Sequence, residues 1–151
     1  MRYYSFFSSI GNGKTPLNSF DSALLNSKIA NYNLVKISSI LPPGLIPNER
    51  IELGEGSILY TAYSHITAQS DMGIVSAAVG VAIPEDSTKA GVIMEFSGFC
   101  PAKESRESVK KMLIEAMQNR KSKIKDIRIA SSETIPNGED YSTAFAGISL
   151  W

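Results

Sequence analysis

The alternation of apolar and polar positions divides the chain into β-like runs and two helical ones. Residues 3–10 read as a strand, and Gly11-Asn12-Gly13 behind them has the composition of a turn. Thr15-Pro16 opens a helix, with threonine as N-cap and proline at the first helical position, where no N–H is needed. Leu17, Phe20, Leu24 and Ile29 then fall at helical spacing, which predicts a core-facing stripe. Residues 32–40 read as a buried strand, with Val35, Ile37 and Ile40 apolar, running into a stiff Pro42-Pro43 corner. Residues 42–56, rich in proline, glycine and alternating charge, predict a long loop over whatever lies beside them. Three strands follow, at 57–68, 73–83 and 90–99. The second carries Ser76, Ala77, Ala78 and Gly80, small residues that suit close approach of another layer or subunit. Residues 101–121 form an amphipathic helix with Val109, Met112, Leu113, Ala116 and Met117 as its stripe. Strands at 126–134 and 141–151 close the chain, giving a β-rich α+β domain.

Composition narrows the function. A chain of 151 residues suits one domain with its own core. Fifteen basic and fifteen acidic residues cancel, so no global field draws nucleic acid or an anionic membrane. The basic residues of the second helix lie outside its stripe and alternate with glutamates, as on a solvated face. No apolar run approaches the ~20 residues of a membrane span, and residues 1–7 lack the apolar region of a secretion signal. One cysteine, Cys100, and one histidine, His65, cannot make a common zinc site, so no metal is expected. The lone Cys100 fits a reducing cytoplasm. Gly13-Lys14-Thr15 matches a phosphate-binding loop only in part, because Ser8 stands where that motif needs its first glycine.

The chemistry concentrates at Lys36-Ile37-Ser38-Ser39-Ile40-Leu41-Pro42-Pro43. A Ser38-Ser39 peptide held between a strand and a rigid corner could be cut by its own neighbour. The Ser39 hydroxyl attacks the Ser38 carbonyl and shifts the acyl group from nitrogen to oxygen. β-Elimination then leaves dehydroalanine, which loses ammonia to water and becomes a pyruvoyl group. Alone, a Ser-Ser pair serves equally to close a strand or cap a turn.

The flanking residues add a resemblance. Thr15-Pro16-Leu17-Asn18-Ser19-Phe20-Asp21, Ala23-Leu24-Leu25-Asn26, Asn31-Tyr32-Asn33-Leu34, Ile37-Ser38-Ser39-Ile40 and Pro42-Pro43 together resemble the pyruvoyl-dependent arginine decarboxylases. Val81-Ala82-Ile83-Pro84 and Gly91-Val92-Ile93-Met94-Glu95 are similar to the same family at the expected separation. The likeness runs from about Gly11 to Trp151. It implies a four-layer α-β-β-α sandwich, two mainly antiparallel sheets packed face to face with helices outside. It implies a single domain, 1–151, self-cleaved into 1–38 and 39–151. The implied activity is decarboxylation of L-arginine to agmatine and carbon dioxide, through a Schiff base with a pyruvoyl group derived from Ser39. The expected assembly is a homotrimer, or a dimer of trimers, with sites between subunits.

Roles follow from the resemblance and from residue type. Ser39 becomes the pyruvoyl group and Ser38 a new carboxy-terminus beside the substrate. Glu95 interrupts the apolar run 92–96, so it stands either at an edge facing water or buried at a site. Burial raises a carboxyl pKa, and a carboxylic acid kept protonated suits a proton donor to a carbanion. Asp21 is implied to meet the substrate guanidinium, whose planar fork a carboxylate accepts with two hydrogen bonds; the plainer reading is a solvated helix-edge carboxylate. Asn33 is implied to orient polar groups at the centre. On a continuous strand it lies six residues, ~20 Å, from Ser39, and so would act on the Ser39 of a neighbouring chain; otherwise its amide satisfies backbone in a turn. His65 lies in a β-like run with no catalytic role. Two other functions stay open: a pyruvoyl decarboxylase of another amino acid, such as lysine, and an uncleaved, non-catalytic oligomeric homologue.

Overall fold

The computed structural model of the chain describes residues 1–138 and 140–151. Its strands are β1 (Tyr3–Gly13), β2 (Asn33–Lys36), β3 (Ile40–Leu41), β4 (Ile46–Pro47), β5 (Ile58–Ala68), β6 (Val75–Pro84), β7 (Gly91–Gly98), β8 (Ile124–Thr134) and β9 (Tyr141–Leu150). The helices are α1 (Pro16–Asn26) and α2 (Ala102–Asn119). Five strands form one sheet in the order β2-β5-β9-β1-β4, and four form the other in the order β3-β7-β6-β8. Pairing is antiparallel except where the short strands β4 and β2 join β1 and β5. The sheets face each other, with α1 on the outer face of the first and α2 on that of the second. This is the α-β-β-α sandwich.

Alternation explains the layers. Ala77, Val79 and Val81 of β6 point between the sheets, where they meet Ala144, Ala146 and Ile148 of β9. Ala78 and Ala82 point the other way, under Val109, Leu113, Ala116 and Met117 of α2. Ala78, Gly80 and Ala82 of β6 therefore receive a helix. A Cβ on Gly80 would stand 2.8 Å from Val109 Cγ1 and 2.9 Å from Ile129 Cγ1.

Three local expectations change. Gly11-Asn12-Gly13 is not a turn but the last part of β1, paired with Thr143, Ser142 and Tyr141 of β9. Gly11 is there because α1 crosses it: a Cβ would overlap the backbone nitrogen of Ala23 and stand 2.5 Å from the Ser19 oxygen. Thr15 does cap α1, its hydroxyl accepting from Asn18 N–H at 3.1 Å, with Pro16 behind it. Of the predicted stripe, Leu24 and Ile29 are buried and Phe20 is half-buried, but Leu17 is 75% exposed. The side chain that fills its place under the helix is Ser19, hydrogen-bonded to Thr143 at 2.7 Å.

The third change concerns residues 32–40. They are not one buried strand. β2 lies at the edge of the five-stranded sheet with most of its residues exposed, because β5 covers it on one side only. The chain leaves that sheet after Lys36, crosses at 37–39, and enters the four-stranded sheet as β3.

Candidate active site

The crossing is fixed at both ends. Ile37 N–H donates to Thr61 O of β5 at 3.2 Å, and Ile93 N–H of β7 donates to Ser39 O at 2.9 Å. The Ser38–Ser39 peptide is therefore strapped between the open edges of two sheets. Ser38 is exposed and Ser39 half-buried, and among the described residues neither hydroxyl shares a hydrogen bond. Behind Leu41, Pro42-Pro43 and Gly44 make the corner, Gly44 at a positive φ of 78°.

Glu95 lies on the strand that holds the Ser39 oxygen. It sits two residues beyond Ile93 on β7, on the same side of the strand, where Ile93 packs into the space between the sheets. It is half-buried, and the loss of water pushes its carboxyl pKa up, while the Lys36 ammonium pulls it down. Lys36 is the residue that sequence reasoning left without a role. Its Nζ lies 4.9 Å from the centroid of the Tyr63 ring, and its charge reaches both Glu95 and His65. His65 stacks on Phe20 with ring centroids 4.5 Å apart. Burial of the ring, then Lys36, lowers its pKa, so at neutral pH it is a neutral aromatic surface.

Asp21 and Asn33 make no hydrogen bond to these groups among the described residues. Asp21 projects from the exposed face of α1, and among the described residues it makes no hydrogen bond or ion pair. One turn to either side stand Leu17 and Leu25, 75% and 55% exposed, so the carboxylate has an apolar flank above and below. Asn33 donates through Nδ2 to Gly56 O at 2.7 Å and so ties β2 to the loop before β5. Within one chain it serves backbone rather than Ser39. The continuous strand that set its distance from Ser39 is broken at Ile37.

What the sequence could not announce is the backbone donor, Ile93 N–H, because any residue carries one. A hint lay in the shared parity of Ile93 and Glu95.

The family model for pyruvoyl-dependent arginine decarboxylase matches residues 3–150. The sequence is 39% identical to the pyruvoyl-dependent arginine decarboxylase of Methanocaldococcus jannaschii over 142 residues, spanning 92% of this chain and 83% of that one. It is 41% identical to that of Methanococcus aeolicus over 142 residues, 93% and 84% of the two chains. For Pyrococcus furiosus the identity is 40% over 123 residues, 80% and 77% of the two chains. Among solved structures, a pyruvoyl-dependent histidine decarboxylase superposes with a TM-score of 0.56 at 14% identity, over 69% of this chain and 55% of that one. That last likeness speaks to the fold alone, and the chain spans about half of that protein's length.

Proposed function

Since the chain belongs to the pyruvoyl-dependent arginine decarboxylase family, we propose that it cuts itself between Ser38 and Ser39 and decarboxylates L-arginine to agmatine and carbon dioxide. The observation that carries this reading is the strapped crossing, with Ser38–Ser39 held between Thr61 O and Ile93 N–H and Glu95 two residues further along β7. The residues fit a pyruvoyl group at position 39: the Ser39 hydroxyl is free to react, and its carbonyl is already held by Ile93 N–H at 2.9 Å. When formed, that group supplies a ketone that condenses with the substrate amine and, with its amide carbonyl, takes up the electron pair released with carbon dioxide.

The rest is the work of the chain. Ile93 N–H fixes the amide oxygen of residue 39. Ser38 becomes a carboxylate next to the site. Glu95, whose carboxyl pKa burial pushes up against the pull of Lys36, returns a proton to the substrate Cα. Asp21 pairs the guanidinium while Leu17 and Leu25 cover the aliphatic stem.

Asp21 and Asn33 meet Ser39 across an interface between copies, in a homotrimer or a dimer of trimers. Support comes from the exposed Leu17-Asp21-Leu25 face and the uncovered edge of β2. No described helix is long and apolar enough to cross a membrane, and the lone Cys100 suits the cytoplasm.

Intact mass of freshly purified protein tests the reading: two pieces, residues 1–38 and 39–151, the larger with a blocked start, and labelled carbon dioxide released from carboxyl-labelled arginine. A single uncut chain that releases no gas overturns it. Release from lysine and not arginine would leave the cleavage and refute the substrate. For Asp21→Ala, the KM for arginine should rise about 10- to 100-fold, the worth of one charged hydrogen-bonded pair, with self-cleavage unchanged. Equal losses in both steps would remove Asp21 from the substrate site.

A further inference from the structure

The Ser38 carbonyl oxygen, which takes up the charge when its carbon is attacked, is itself engaged. Ile40 N–H donates to it at 2.9 Å, two residues along the chain, closing a γ-turn centred on Ser39. Ser39 is not among the residues with positive φ, so the turn is the inverse, unstrained form.

The Ile40 N–H is free to do this because of the register. Ser39 receives the Ile93 N–H, and the next pair, Ile40 opposite Val92, falls at a position where antiparallel strands exchange no hydrogen bonds. The Ile40 N–H therefore points off β7 and back over residue 39. The Ile40 side chain, 40% exposed, contributes little to the core.

We propose that the Ile40 amide, held in this γ-turn, is the oxyanion donor that activates the Ser38–Ser39 bond for self-cleavage. The inference rests on the reading of Ser38–Ser39 as the bond that is cut. In the acyl shift, the bond from Ser39 Oγ to the Ser38 carbonyl carbon forms and the carbon–nitrogen bond breaks. The hydroxyl proton goes to the released Ser39 nitrogen, so no other reactant is consumed. Between the two events Ser38 C and Ser39 N, Cα, Cβ and Oγ form a five-membered ring, and the Ser38 oxygen carries negative charge outside it, on Ser38 C. A donor already on that oxygen stabilises the charge as it develops and need not be reoriented. The turn thus sets which peptide bond in the crossing reacts. Of the Ser38 and Ser39 oxygens, Ile93 N–H holds the Ser39 oxygen from a neighbouring strand, and the Ser38 oxygen faces a donor two residues ahead.

The test replaces Ile40 by its α-hydroxy acid analogue in the full chain, which turns the Ser39–Ile40 amide into an ester and deletes that one N–H. Cleavage of the newly folded precursor is followed by intact mass. It should slow about 10²- to 10³-fold, the usual effect of losing one oxyanion donor. The same exchange at Ile37 deletes the N–H to Thr61 O and should slow cleavage less than about tenfold, the net worth of an ordinary hydrogen bond. Equal slowing at both positions, or none at Ile40, overturns the proposal while leaving the function intact. A wild-type chain that stays uncut fails the functional reading instead. If the Ile40 ester does not fold, amide exchange in Ser39→Ala decides. The Ile40 N–H should exchange slowly with deuterium, and exchange at the rate of an open chain refutes the turn.

Discussion

Ser39→Ala should give a single 151-residue chain that never divides and releases no carbon dioxide from arginine. The loss is total because both events use one atom: without Oγ there is no nucleophile for the acyl shift and no precursor of the ketone. It should nonetheless fold. The Ser39 hydroxyl shares no hydrogen bond among the described residues, and the crossing is held by backbone groups of Ile37 and residue 39 that alanine retains. Thermal unfolding of the variant should therefore match that of wild-type precursor within about 0.5 kcal/mol, as for a surface change that breaks no contact. Activity surviving in an uncut Ser39→Ala chain would end the pyruvoyl reading.

Glu95→Gln separates the two steps. The chain should still divide, since Glu95 sits on β7 beyond the strapped peptide, but kcat should fall about 10²- to 10⁴-fold, the range for a positioned proton donor. The pH profile carries a second signature. Burial raises the Glu95 pKa above the ordinary 4.5, against the opposing pull of Lys36. Wild-type activity should decline as pH rises through that raised value and the acid loses its proton. The residual activity of Glu95→Gln should lack this limb. Stability moves in the same direction. A carboxyl whose folded pKa lies above its unfolded one binds more proton in the native state, so its contribution is full below the unfolded value and is lost as pH rises through the folded one. Unfolding of wild type and variant across that window should diverge in favour of glutamine with increasing pH. A flat difference would mean that Glu95 does not titrate there.

Much of this architecture was legible because alternation is a strong signal. β5, β6 and β7 and the α2 stripe follow from apolar spacing, and Thr15-Pro16 marks the start of α1 by local chemistry alone. Three things were not. Gly11 looked like a turn, because a glycine that admits a crossing helix has the same letter as one that bends the chain. Leu17 looked like core, because periodicity marks a face but not what covers it. Residues 32–40 looked continuous, because the switch from one sheet to the other depends on the distant partners β5 and β7. At the site, Ser39 is bonded to β7 through Ile93, and Glu95 lies two residues further along that strand. Asn33 spends its amide on the Gly56 carbonyl, and Asp21 has no hydrogen-bond partner among the described residues, which residue type alone does not reveal.

The position of β1 has a consequence if the chain divides after Ser38. β1 belongs to the shorter piece, yet it lies between β9 and β4 of the longer one, and β2 extends the far edge of the same sheet. Cutting behind Ser38 leaves the pieces interlaced without a covalent tether. The precursor can regain its shape by a unimolecular route, but the divided form must find its missing strand in solution, a second-order event that dilution slows. Division after Ser38 would thereby leave a fold that, once melted, lacks the covalent linkage between β1 and the strands on either side of it.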